Sequence, residues 1–190
     1  MTVLPRNLMD EDIETTSIPG LLVLKRPIFS DERGFFRELF HRDNLEKILG
    51  FKFHGVQMNH SHSLPKVLRG IHAEKWNKII YPVCGDVFIA IVDIRPDSQT
   101  FGKVETFGVN DNNRVGLFIP NGLANSLCVT GSQPVDYIYL VDEYWDGSDT
   151  RAICWDDPDL NINWPIKDPI LSERDKNNPR LRDLFPEKFK

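Results

Sequence analysis

Cysteine is scarce in this chain of 190 residues. Cys84, Cys128 and Cys154 form no Cys-x-x-Cys pair and leave one thiol over, so neither a disulfide framework nor a structural zinc site is expected to organise the fold. Buried free thiols in a reducing compartment are the expectation. Long apolar runs are missing too. No stretch approaches the roughly eighteen residues of a membrane span. Residues 1–20 are acidic and lack the apolar core of a secretion signal, so a soluble cytoplasmic protein without membrane contact is expected. A basic excess is also absent: the formal net charge is -5. That argues against a general nucleic-acid binder, though not against a local basic pocket for a small phosphorylated ligand. There is no internal repeat and no low-complexity segment. What is present is 41% hydrophobic residues, with four Trp and twelve Phe. That composition, at this length, suits one globular domain with a real core.

Residues 1–20 read as an N-terminal arm that ends in the turn Ser17-Ile18-Pro19-Gly20, with residues 21–165 as the domain and 166–190 as a C-terminal segment. Residues 21–24 are a short strand and 29–34 a loop. Residues 43–49 are the helix candidate of the first half, with Asp43 as a possible N-cap and Gly50 as the stop. Strand signals then recur at 55–58, 78–83, 87–92, 104–109, 116–119, 126–129 and 135–141. They are separated by Gly, Pro, Asn and Asp clusters such as Cys84-Gly85-Asp86 and Pro120-Asn121-Gly122. Many short strands between turn signals indicate an all-β antiparallel sandwich or barrel. Ser172-Glu173-Arg174-Asp175 opens a short helical turn.

The richest stretch in chemistry is 67–78. Read as one strand, alternation puts His72, Glu74, Trp76 and Lys78 on one face and Arg69 with Ile71 on the other. An imidazole, a carboxylate and an amine make a poor core face but a plausible wall for an anion-binding pocket. An imidazole titrates near pH 6.5 (about the unperturbed value), which suits a general base; a core histidine satisfied by a backbone carbonyl is the alternative. Along 136–145, alternation pairs Tyr137 with Tyr139, and a tyrosine held against an oxygen is a competent general acid. Trp145 offers a flat platform for a base or sugar. Both segments are equally readable as half-buried sandwich residues. Arg33, Arg69, Lys78 and Arg174 are cations suited to phosphate, which arginine grips bidentately. His60-Ser61-His62 has the spacing of a metal-ligand pair on one strand face. Histidine is absent after His72, so only His72 and Glu74 remain to complete such a site.

Taken together, Asp31-Glu32-Arg33-Gly34-Phe35-Phe36-Arg37-Glu38, Val56-Gln57-Met58-Asn59-His60-Ser61 and Val67-Leu68-Arg69-Gly70-Ile71-His72 resemble the dTDP-4-dehydrorhamnose 3,5-epimerases. The likeness continues through Val92-Asp93-Ile94-Arg95, Ile119-Pro120-Asn121-Gly122, Ile162-Asn163-Trp164-Pro165 and Ile170-Leu171-Ser172-Glu173-Arg174-Asp175. It spans about 18–184 in order and is nearest to the subgroup carrying His-Ala-Glu-x-Trp-x-Lys after the Arg-Gly. The resemblance implies a cupin-type antiparallel jelly roll with short flanking helices, free of cofactor and metal and working as a homodimer. Its substrate would be a nucleotide-diphosphate sugar, a dTDP-4-keto-6-deoxyhexose epimerised at the two carbons beside the ketone. In that comparison His72 matches the base, Asp175 its orienting carboxylate, Lys78 the cation at the developing enolate and Tyr139 the acid. Arg33, Glu38, Gln57, Asn59 and Arg69 match positions that hold the nucleotide and diphosphate, some contributed by the partner subunit. Trp145 stands at the thymine-stacking position, and Arg174 adjoins the dyad carboxylate.

Asn125 and Met58 depart from the commoner family pattern, which carries His and Asp at those places. The Asn125 position lies near the sugar, so a single-site 3-epimerase or an epimerase of another nucleotide 4-keto sugar is the alternative activity. More remote readings are a metal-dependent cupin built on His60, His62, His72 and Glu74, and a non-catalytic sugar-binding protein. Because Arg69 falls opposite His72 by simple alternation, a bulge or twist near Gly70 is predicted.

Overall fold

The computed structural model describes residues 12–146 and 151–189. The first eleven residues of the expected arm lie outside the described residues. In chain order the strands are β1 (Ile13–Thr15), β2 (Leu22–Leu24), β3 (Phe29–Asp31) and β4 (Gly34–Phe36). Next come helix α1 (Arg42–Leu49), β5 (Gln57–Ser63), β6 (Leu68–Ala73), β7 (Lys78–Pro82) and β8 (Val87–Asp93). They are followed by β9 (Val104–Val109), β10 (Gly116–Ile119), β11 (Leu123–Val129), β12 (Val135–Val141) and β13 (Arg151–Ala152). Two one-turn helices, α2 (Glu173–Lys176) and α3 (Leu181–Leu184), and a 3-10 turn over Pro186–Lys188 close the chain.

Six strands form one sheet in the order β1-β2-β10-β7-β12-β5, and five form a second, β13-β6-β11-β8-β9. All the strand pairings within both are antiparallel. The sheets face each other across Ile80, Leu117, Ile119, Val135 and Tyr137 from the first, and Val87, Ile89, Ile91, Leu123, Leu127 and Val129 from the second. These alternate along their strands with outward residues, which is the period-two pattern of a sandwich. The outer faces are covered as well. Leu45 of α1 and Phe53 pack on Leu22, Leu24, Ile79 and Phe118. Leu160, with Leu181 and Phe185 of the C-terminal segment, lies over Ile71, Val92 and Ala124. Among the described residues no helix is long and apolar enough to cross a membrane.

Several local expectations change. Ile13–Thr15, expected in the arm, pairs with β2 in the register Ile13↔Leu24. Residues 29–34 belong to a hairpin, β3 with β4, instead of a loop. Helix α1 is capped at His41, one residue before Arg42, so Asp43 lies in its first turn, where a carboxylate suits the helix dipole. Gly50 ends it in the left-handed region, as the sequence suggests. All three thiols are free, but Cys84 and Cys154 are only half-buried; Cys128 alone is fully inside.

Stretch 67–78 is two strands, not one. β6 stops at Ala73, a tight connection carries Glu74 to Asn77, and β7 starts at Lys78. The predicted irregularity at Gly70 is present. Asn125 pairs with His72 and Leu127 with Arg69, so two steps on β11 match three on β6. That extra residue turns Arg69 and His72 to the same side. Gly70 has φ 128°, and a Cβ there would sit 2.8 Å from Ser126 Cα, so only glycine fits. Beside it, the Ser126 hydroxyl accepts from the Ala90 N–H at 3.0 Å and donates to the Ala90 carbonyl at 3.2 Å, replacing ladder bonds lost at the bend.

Candidate active site

A cavity of about 480 Å³ opens between the two sheets and the C-terminal segment. One wall is β6 and β11, which bring Arg69, His72, Asn125 and Leu127. The facing wall is β5, β7 and β12, which bring Ser61, Lys78, Tyr137 and Tyr139. The rim is 170–175, tied to the start of β6 by Leu68 N–H to the Ile170 carbonyl at 3.0 Å and by Ile170 N–H to the Lys66 carbonyl at 2.8 Å.

His72 Nε2 lies 2.6 Å from Asp175 Oδ1 across 103 positions of sequence. The carboxylate side chain is 4% exposed and the imidazole 25%. Ser172 caps α2, its hydroxyl accepting from the Asp175 N–H at 3.1 Å, and so fixes where that carboxylate stands. Burial by itself would raise the Asp175 pKa. The hydrogen bond and charge of His72, the Gly70 N–H and the Ser172 hydroxyl outweigh it and hold the carboxyl below its ordinary range. An ionised carboxylate only accepts, so Nε2 carries the imidazole proton and Nδ1 is the basic nitrogen.

Lys78 donates to the Glu74 carboxylate from a side chain only 5% exposed. Tyr139 sits half-buried on the same sheet. Burial and then the Glu74 charge push its pKa up, with Arg69 opposing. Burial and Glu74 raise Tyr137 further. Both phenols therefore stay protonated well into the alkaline range. Arg69 donates to Ser63 Oγ at 2.8 Å and to the His62 carbonyl at 3.2 Å, which holds its guanidinium at the mouth. The buried Asn125 Oδ1 in the cavity wall meets no donor among the described residues.

Of the predicted site residues, the cavity brings together His72, Lys78, Tyr139, Asp175, Arg69, Asn125 and Arg174. Gln57 and Asn59 extend the same face of β5 outward from Ser61. Asn59 stands opposite Tyr139 in register, Gln57 Nε2 donates to Asn59 Oδ1 at 2.8 Å, and Gln57 Oε1 accepts from the Trp145 N–H at 3.3 Å. Trp145 is 65% exposed beyond that rim. Arg33 is not in this cavity; it lies at the β3–β4 turn, ion-paired with Asp31 and 82% exposed. Glu38 is likewise away, paired with the buried Arg26. Trp76, placed by alternation beside His72, is buried outside the cavity because the strand ends before it.

His60 and His62 point outward, away from His72 and Glu74. They share Asp136 Oδ1, each at 2.9 Å, so the four-ligand set does not assemble. No group of three or more His, Cys, Asp or Glu suited to a metal ion occurs among the described residues. Ser172 opens a helical turn as the sequence suggests, but its hold on Asp175 was not foreseen, and neither was the Glu74–Lys78 pairing. The pairing was signalled by a carboxylate and an amine four residues apart, obscured by reading them as one strand.

Comparison with known proteins places this geometry among relatives. Residues 15–183 match the family model described as dTDP-4-dehydrorhamnose 3,5-epimerase. A dTDP-4-dehydrorhamnose 3,5-epimerase of Shigella flexneri is 38% identical over 172 residues, covering 88% of this chain and 94% of that protein. The solved structure of dTDP-6-deoxy-D-glucose-3,5-epimerase RmlC from Legionella pneumophila, in complex with dTDP-4-keto-L-rhamnose, superposes with a TM-score of 0.85. It is 33% identical, over 92% of this chain and 95% of that one. ChmJ, a 3'-monoepimerase from Streptomyces bikiniensis solved with dTDP-quinovose, superposes at 0.84 with 28% identity, over 92% and 89% of the two chains.

Proposed function

The chain belongs to the dTDP-4-dehydrorhamnose 3,5-epimerase family of carbohydrate epimerases, and from that membership we propose that it converts dTDP-4-dehydro-6-deoxy-D-glucose to dTDP-4-dehydro-L-rhamnose. The observation that carries this reading is the placement of His72 on one sheet and Tyr139 on the other, with a single cavity between them. Inversion of a carbon needs a base on one side and an acid on the opposite side, and this arrangement supplies both.

The C–H bonds beside a ketone break only if the charge passing to the ketone oxygen is stabilised. His72 Nδ1 takes the proton while Asp175 accepts the hydrogen bond from Nε2 and balances the imidazolium that forms. Lys78 donates to the enolate oxygen from a largely dry wall, where a fixed charge lowers the barrier most. Tyr139 then delivers its proton to the opposite face as the enolate collapses back to the ketone; His72 releases the proton it took to solvent and Tyr139 regains one from solvent, which resets the site. Each cycle leaves the oxidation state unchanged, so the steps run on side chains alone. Repeated at the second carbon, they give the double epimer.

Arg69 and Arg174 are proposed to grip the diphosphate, Asn125 Oδ1 to accept from a sugar hydroxyl, and Gln57 and Asn59 to hold the nucleoside with Trp145 as the stacking platform. Arg33 and Glu38 lie away from their own cavity. That supports a homodimeric cupin-type jelly roll in which some of these residues serve the partner's site. Incubation with dTDP-, UDP- and GDP-linked 4-keto-6-deoxyglucose, followed by NMR of the products, tests the reading. Inversion at C3 and C5 of the dTDP sugar supports it. Preference for another nucleotide, or product inverted at C3 alone, moves the activity to a related epimerase.

A further inference from the structure

We propose that Glu74 is a positioning residue of the proton-transfer site: its carboxylate clamps the Lys78 ammonium in the cavity wall, so that the enolate oxygen meets a fixed donor instead of a mobile one. The inference rests on the activity proposed above and adds a residue to it.

Glu74 is the first residue past β6 and Lys78 the first of β7, so the tight connection between two strands of different sheets sets their separation. Both side chains face the cavity, 16% and 5% exposed. The connection itself is anchored. Asn77 N–H donates to Asp142 Oδ1 at 2.9 Å and Asn77 Nδ2 to Asp142 Oδ2 at 2.6 Å. Asn77 Oδ1 accepts from the Asn121 N–H at 2.9 Å, and Lys75 pairs with Asp146 at 2.6 Å. Lysine carries a long, flexible stem, and alone in a cavity it would sample many rotamers. A carboxylate held by an anchored turn removes that freedom. Glu74 thus stands to Lys78 as Asp175 stands to His72: one anion behind each of the two groups that handle charge.

The same carboxylate acts on the acid. Its charge adds to burial in keeping Tyr139 and Tyr137 protonated. The other charged or titratable groups around Tyr139 in this cavity are Arg69, His72, Lys78, Arg174 and Asp175. Removing Glu74 therefore makes the Tyr139 phenol easier to ionise.

The test uses the full chain carrying Glu74→Gln, which keeps the shape and an acceptor oxygen but drops the charge, and Glu74→Asp, which keeps the charge on a shorter stem. Turnover of dTDP-4-keto-6-deoxyglucose is followed across pH, with dTDP binding and melting temperature as controls. For Glu74→Gln the expected result is a fall in kcat of roughly tenfold or more with KM little changed. The alkaline limb of the pH profile should move to lower pH, and Glu74→Asp should recover part of the loss. A Glu74→Gln enzyme with the parent's kcat and pH profile overturns the proposal. So does a loss of activity that only tracks a lowered melting temperature and leaves the limb in place. An inactive parent would sink the activity assignment itself; an active parent with an unaffected variant sinks only the role of Glu74.

Discussion

Replacing Asp175 by Asn removes one charge from the dyad with almost no change of shape, and the structure sets the size of the effect. His72 Nε2 and Asp175 Oδ1 are 2.6 Å apart, with the carboxylate 4% exposed. Before proton transfer the contact is an ordinary charge-assisted hydrogen bond. As His72 takes the substrate proton it becomes a cation beside that anion. Their charge centres are about 4 Å apart, and at an effective dielectric near 20 that is worth about 4 kcal/mol. If half of the charge has developed at the transition state, about 2 kcal/mol is lost in the variant, or roughly 30-fold in kcat; full development gives roughly 10³-fold. The interaction strengthens only as charge develops, so KM should change little. Turnover of saturating dTDP-4-keto-6-deoxyglucose, followed by NMR, reads the effect directly. A variant within about threefold of the parent in kcat would refute the dyad. Stability should respond as well. The Asp175 carboxyl is held below its ordinary range in the fold. Its contribution is therefore present above the ordinary carboxylate pKa and lost as pH falls through the lowered one.

Tyr139→Phe should still exchange the substrate's α-hydrogens with solvent, because His72 and Lys78 remain, but product of inverted configuration should nearly vanish; parent-like epimerisation by this variant would remove Tyr139 from the mechanism. Gly70→Ala forces a Cβ to 2.8 Å from Ser126 Cα at a φ of 128°. A loss of roughly 2–4 kcal/mol is expected, with a fall in melting temperature of about 5–15 °C; an unshifted melting curve contradicts the bulge geometry. Asp93 is fully buried, and Arg95, Ser98 and Thr100 donate to its carboxylate at 2.6–2.9 Å. Burial would raise its pKa, but these bonds dominate and bring it to about 2. The stabilisation is complete above the ordinary Asp pKa of about 3.9 and fades as pH drops towards 2, amounting to roughly 2 kcal/mol. Urea unfolding of Asp93→Asn should show that much less stability at neutral pH and a flatter acid limb; an acid limb as steep as the parent's would count against it.

Strands were legible wherever apolar alternation ran between strong turn residues. β9, β10 and β12 have the bounds that the sequence suggests: Gly102 and Asn110 flank the first, Asn113 and Pro120 the second, and Pro134 and the acidic pair Asp142-Glu143 the third. Short elements were less so. The three residues of β1 carry too little pattern to stand out from an arm, and β3 and β4 acquire strand character only by pairing with each other. Within the site, Tyr137 and Tyr139 share a face as plain alternation requires. Arg69 and His72 share one only because a residue is inserted opposite β11, a fact of pairing that single-strand reasoning can suspect at Gly70 but not place. Trp76 was misassigned because nothing local marked the end of β6. The outward aim of His60 and His62 follows from Gln57, Asn59 and Ser61 taking the inner face. Asp175 was reached through family resemblance alone. No periodicity links it to His72, and the C-terminal segment must fold back along β6 to bring them together.

In this mechanism one cavity abstracts protons from both carbons beside a ketone and reprotonates each from the opposite side. Incubating the parent protein with dTDP-4-keto-6-deoxyglucose in deuterated water, with His72→Ala as control, reports on that chemistry at each carbon. Deuterium at both C3 and C5 in the parent and at neither carbon in His72→Ala is the predicted result. No exchange at either carbon in the parent, or undiminished exchange without His72, would contradict it.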